Sequence, residues 1–160
     1  MDFAAKGGRR KGSFSYICRQ ASDSAMKILT LNLKFAGLGE ILAGTRTHEY
    51  RDIFPSNEKR FIRYVLNGKE YTSLQEMPSE EEEPGEVDVV PVKYDCIKFM
   101  AGAVNGTRPY LVVEVVEAEV VFLTDEEGKD LVLVDEENDL EYIAAQMDYT
   151  LGKVIERSGC

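Results

Sequence analysis

The stretch Tyr110–Leu123 constrains the fold of this chain more than any other part of its sequence. It reads Y-L-V-V-E-V-V-E-A-E-V-V-F-L, a long and mostly apolar run that predicts one long β-strand. Strand-like runs also occur at Tyr94–Ala101, Leu131–Val134, Glu141–Gln146 and Tyr149–Ile155, and turn sequences occupy 125–128 and 137–139. The second half of the chain therefore favours four or five antiparallel strands in one small sheet.

The first half mixes strand and helix patterns. Ile28–Lys34 predicts a strand, and Phe35, Leu38, Ile41 and Leu42 recur at helical spacing before Gly44, a residue suited to a helix C-terminus. A second strand is predicted over Thr45–Ile53, and a second helix over about 57–66 with Ser56 as its N-cap. These patterns predict an α+β fold: a small curled antiparallel sheet or β-barrel with about two flanking helices.

Composition divides the chain further. Residues 1–25 are rich in Gly, Ser, Lys and Arg and predict a disordered basic leader, so we expect the folded domain to cover 26–160. Within it, residues 72–88 contain Pro78, four consecutive glutamates and Pro84-Gly85, which predicts a solvated acidic loop.

The net charge of −10 is unevenly distributed. Residues 27–75 carry eight basic and five acidic side chains, whereas residues 76–160 carry six basic and twenty-two acidic ones. Long duplex DNA is a poor partner for such a chain, but a smaller anion remains compatible with the first half.

The cysteine pattern and the absence of long apolar runs exclude other classes. Cys18, Cys96 and Cys160 form no C-x-x-C pair, and there is one histidine, so neither a metal site nor a cofactor is predicted. No apolar run reaches about 18 residues, so we expect no membrane segment and a cytoplasmic location with free thiols.

The candidate site lies in the predicted strand 45–53. Side chains alternate along a strand, which places Thr47, Glu49 and Arg51 on one face and His48 on the other. Arg46 lies just after the helix, at the mouth of the candidate site. A desolvated Glu49 needs a partner, and Arg51 or a ligand with donors and acceptors would supply one.

The segments Met26–Lys34 and Ile41–Arg51 resemble the start of ASCH domains, which are small PUA-like β-barrels with the signature G-x-K-x-x-E-x-R. Gly44, Arg46, Glu49 and Arg51 match this signature, with Arg46 in place of the family's lysine. The resemblance implies a cleft that binds RNA or a nucleotide through Arg46, Thr47, Glu49 and Arg51, with Lys34 at its mouth.

Two other functions stay open. Some small ASCH proteins are amidohydrolases that act on acylated cytidine, and in such an enzyme Glu49 would be the catalytic residue here. Arginine cannot be deprotonated at working pH, so Arg46 favours binding over catalysis. The third alternative is a protein-interaction domain in which Glu49 and Arg51 form only a structural ion pair.

Overall fold

A computed structural model describes residues 26–102 and 108–159. The leader at 1–25 and the cysteines Cys18 and Cys160 lie outside these residues. Within them the chain is α+β, as predicted, with ten strands, two α-helices and one short 3-10 helix. No helix in the described part of the chain is long and apolar enough to cross a membrane.

The described residues divide into two compact units, and the boundaries fall within three of the strands. The acidic unit comprises Tyr50–Val92 and Glu119–Asp148. The α1 unit comprises residues 26–49, 93–102, 108–118 and 149–159.

The elements follow in chain order as β1 (Ile28–Asn32), α1 (Phe35–Ala43), β2 (His48–Ile53), α2 (Glu58–Phe61), β3 (Ile62–Leu66), β4 (Lys69–Tyr71), the 3-10 helix (Leu74–Glu76), β5 (Val87–Pro91), β6 (Cys96–Met100), β7 (Tyr110–Phe122), β8 (Val132–Asp135), β9 (Leu140–Ile143) and β10 (Ala145–Ser158). The three sheets have the strand orders β1-β6-β7-β10-β2, β4-β3-β5 and β8-β9.

In the α1 unit, β1 and β6 pair in parallel, with Leu29 opposite Ile97 and Leu31 opposite Phe99. All four side chains are buried, which gives this unit an apolar core. The predicted antiparallel sheet therefore has a parallel pair at this edge. Parallel neighbours need a long crossover connection, and here the chain between β1 and β6 runs through α1 and all of β2 to β5.

In the acidic unit, the predicted helix over 57–66 is wrong beyond its first turn. Only Glu58–Phe61 is helical, and Ile62–Leu66 forms the central strand of a three-stranded sheet between β4 and β5. Ile62, Tyr64 and Leu66 are buried on one face of that strand. Because the segment also alternates with period two, pairing with β5 decides its conformation.

The acidic loop has local structure of its own. The Thr72 hydroxyl donates to Glu76 Oε2 at 2.8 Å across the 3-10 helix, and the Glu82 backbone N–H donates to Ser79 Oγ at 3.3 Å. Glu80, Glu81 and Glu82 are exposed, as expected for a solvated segment. The loop ends at Glu86, because Val87 begins β5.

Candidate functional site

Helix α1 ends in a way that fixes the start of the candidate site. Leu38 and Ile41 bury the apolar side of the helix, and Gly44 adopts a left-handed conformation with φ of 78°. Beyond it, the Glu40 carbonyl accepts backbone hydrogen bonds from Thr45 at 3.0 Å and Arg46 at 3.2 Å. Arg46 is therefore held against the last turn of α1 by its own backbone.

The Arg46 side chain bridges two carboxylates. Its Nη2 donates to Glu49 Oε1 at 2.7 Å, and its Nη1 lies 3.4 Å from Glu40 Oε1. The hydrogen bond to Glu49 raises the pKa of Arg46 most strongly, and partial burial opposes this rise. Arg46 thus remains a fixed cation that donates hydrogen bonds and takes no part in proton transfer.

Glu49 is the unusual member of this cluster because it is a buried carboxylate, with 1% of its surface exposed. A buried carboxylate is unfavourable unless charge and hydrogen bonds compensate its lost hydration. Arg46 supplies such compensation while 31% of its own side chain stays exposed. The pair therefore presents one half-exposed guanidinium anchored by one buried acid.

One donor of this guanidinium is unused. Arg46 Nε is buried and has no hydrogen-bond acceptor among the residues that the structure describes. An unsatisfied donor of a charged group is costly to leave in place.

The other predicted site residues have different environments. Thr47 is exposed, and its carbonyl accepts a hydrogen bond from the Leu151 backbone N–H at 2.8 Å, which ties the start of β2 to β10. Lys34 is exposed at the N-cap of α1, at the opposite end of the helix from Glu40. Arg51 is half-buried on β2 and belongs to the acidic unit.

The alternation predicted for β2 is visible in its burial. Glu49 and Ile53 are buried and Arg51 is half-buried, whereas Tyr50 and Asp52 between them are exposed. From the sequence, Arg51 is one candidate for the side chain that pairs with Glu49. In the structure, Arg46 donates a hydrogen bond of 2.7 Å to Glu49.

Two polar groups of the structure are not predicted from the sequence. The helical pattern of α1 gives no reason to single out Glu40. Its position in the last turn of the helix, however, allows its side chain to contact a residue just beyond Gly44. The hydrogen-bonded pair of Glu58 and Tyr64 in the acidic unit escapes prediction because it depends on Tyr64 lying in a strand rather than a helix.

No group of three or more His, Cys, Asp or Glu side chains among the described residues is arranged to hold a metal ion. Cys96, the one cysteine within the described ranges, is buried, and its Sγ lies 3.8 Å from Met26 Sδ. Comparison of the chain with protein-family models, curated proteins and solved structures found no match.

Proposed function

We propose that this protein is a PUA-like ASCH domain that binds RNA or a nucleotide through Arg46 and Glu49. The observation that carries the proposal is the 2.7 Å pair itself, in which a buried acid holds a half-exposed guanidinium. A guanidinium held this way presents planar donors that match a phosphate group or a base carbonyl. The resemblance to the G-x-K-x-x-E-x-R signature supports the same ligand class.

The exposed part of the Arg46 guanidinium side chain supports a ligand that accepts hydrogen bonds. Nucleobases and phosphates both carry acceptors that can meet an arginine side chain in its plane.

The charge of the two units favours the α1 unit as the place for a nucleic acid. Its described residues hold eight basic and six acidic side chains, a net charge of +2. The described residues of the acidic unit hold six basic and twenty-one acidic side chains, a net charge of −15. A polyanion would be repelled by the second and tolerated by the first.

Fluorescence anisotropy with a labelled single-stranded RNA, measured at several salt concentrations, tests the proposal. We expect affinity to fall with added salt, and Arg46→Met to weaken binding by about tenfold, the cost of one charge-assisted hydrogen bond. Arg157→Met is the matched control, since Arg157 is an exposed arginine on β10 of the same unit. Arg46→Lys, which keeps the charge but loses the planar donors, should be intermediate.

Absence of binding to RNA and to free nucleotides at low salt would reject the proposal. Equal losses of RNA affinity for Arg46→Met and Arg157→Met would show that RNA is held only by nonspecific charge attraction. Release of cytidine from acetylated cytidine, abolished by Glu49→Gln, would instead indicate the hydrolase.

A further inference from the structure

The acidic unit contains a cavity of about 430 Å³ that the proposed RNA site does not involve. Its walls come from the end of β2 and from β3, β5, β7 and β9, and most of its lining side chains are apolar. Phe54 and Leu74 lie in its lining and are 41% and 56% exposed, so the cavity opens to solvent. Its volume is within the range of small-molecule sites, roughly 300–1,000 Å³.

One polar pair stands in this apolar lining. The Tyr64 hydroxyl donates to Glu58 Oε2 at 2.8 Å, and both residues line the cavity. Tyr64 is buried, with 9% of its surface exposed, while Glu58 is half-buried. The phenol leaves further acceptor capacity on the carboxylate, because a carboxylate has two oxygens with about four lone-pair sites.

Glu58 has no cationic partner among the described residues. The nearby arginines of α2 and β3 are engaged elsewhere: Arg63 donates to the carbonyls of Lys59 and Ile62, and Arg60 packs over the Phe61 ring. None of these cations lines the cavity. Burial raises the pKa of Glu58, and the hydrogen bond from Tyr64 opposes that rise.

The surrounding charge has the same sign as Glu58. A second carboxylate, Glu141, also lines the cavity, and the described residues of the acidic unit carry a net charge of −15. An anionic ligand would meet repulsion here, and a neutral apolar ligand would leave Glu58 without a counter-charge. A cation would compensate it.

We propose that this cavity binds a small organic cation, an aromatic or branched apolar body that carries a primary or secondary ammonium group. The ammonium donates to the Glu58 carboxylate, and the body packs among Phe54, Phe122 and Tyr142. Phe54 and Tyr142 already form an edge-to-face pair with ring centroids 6.5 Å apart, and such rings also attract a cation over their faces.

Three probes of nearly equal shape test the proposal with the full chain: naphthylmethylamine, naphthylmethanol and naphthoate. We expect calorimetry to give an affinity about tenfold higher for the amine than for the alcohol, and the weakest binding for the carboxylate. In NMR spectra, the amine should shift the methyl signals of Ile143 and Ala145, which line the cavity.

Two matched variants assign the effect to Glu58. Glu58→Gln keeps an acceptor for the Tyr64 hydroxyl but removes the charge, so the amine should lose its advantage over the alcohol. Glu70→Gln, at an exposed glutamate of β4 outside the cavity, should leave that advantage unchanged.

Equal affinity for amine and alcohol, preference for the carboxylate, or no binding of any probe at millimolar concentration would overturn the proposal. So would an amine preference that persists in Glu58→Gln. Because none of these probes requires the α1 unit, failure here is distinguishable from failure of RNA binding.

Discussion

Arg46 Nη2 and Glu49 Oε1 are joined by a 2.7 Å hydrogen bond in which the acid is buried and the base is half-exposed. Arg46 lies in the segment that joins α1 to β2, and Glu49 lies on β2. The same contact therefore connects the stability of this junction to the binding we propose.

Loss of the Arg46 charge should destabilise the protein. Arg46→Met leaves the buried Glu49 without this partner, and we expect the free energy of unfolding to fall by about 1–2 kcal/mol. The exposed third of Arg46 keeps this value below that of a fully buried pair. In urea unfolding, the double variant Arg46→Met/Glu49→Gln should lose less than the two single variants combined. Strict additivity would show that the contact contributes no coupling.

Replacing Gly39, inside α1, and Gly44, just after it, with alanine should change the free energy of unfolding in opposite directions. Gly39 lies inside α1 with open space where an alanine methyl group would lie, so Gly39→Ala should raise the free energy of unfolding by about 0.5–1 kcal/mol. Gly44 has φ of 78° at the helix end, so Gly44→Ala should lower it by roughly 1 kcal/mol. Thermal unfolding of both variants measures the difference, and a shared sign would contradict the helix boundary.

Ionisation of the Glu58 carboxyl should make the free energy of unfolding depend on pH in the acidic range. Burial raises its pKa above 4.5, so the folded protein holds this proton more tightly than the unfolded chain. Its contribution is full below pH 4.5 and is lost as pH rises through the folded pKa. The unfolding free energy of the wild type relative to Glu58→Gln should therefore decline as pH rises above 4.5 through the folded pKa. A difference that stays constant or rises with pH would exclude this assignment.

Tyr64 should ionise late in an alkaline titration. Burial raises its pKa above the ordinary 10.0, and the neighbouring charge of Glu58 and the hydrogen bond to it add to the rise. The stability gained from the protonated phenol is full below pH 10.0 and is lost as pH rises through the folded pKa. Phenolate absorbance should show a late component that Tyr64→Phe removes. If that variant instead removes absorbance that appears near the ordinary pKa of tyrosine, the phenol is not shielded by the fold.

Local sequence signals are sufficient where short-range forces decide the structure. The strand at Ile28–Asn32, the helix ending before Gly44 and the long strand from Tyr110 are all predicted within two residues, whereas β2 begins at His48, three residues later than predicted. Apolar periodicity and turn residues act within a few positions of themselves, so one sequence carries that information.

The segment Ile62–Leu66 shows that local sequence patterns do not always distinguish a helix from a strand. Phe61, Ile62 and Val65 fit a helical face, while Ile62, Tyr64 and Leu66 fit a strand face equally well. The choice depends on Val87 and Val89, which pair opposite Leu66 and Tyr64 from more than twenty residues away. No short window of the sequence contains both strands.

The candidate site divides in the same way. Alternation along β2 is enough to place Glu49 and Arg51 on one face and His48 on the other, because strand geometry alone fixes that pattern. The capping of α1 by Gly44 decides that Arg46 reaches both Glu40 and Glu49, and packing of distant strands decides that Glu58 and Tyr64 share an apolar cavity. The sequence by itself determined which residues are charged and which of them share a face of a strand. Only the tertiary structure decided which charges meet and which are buried, because desolvation depends on groups that are far apart in the chain.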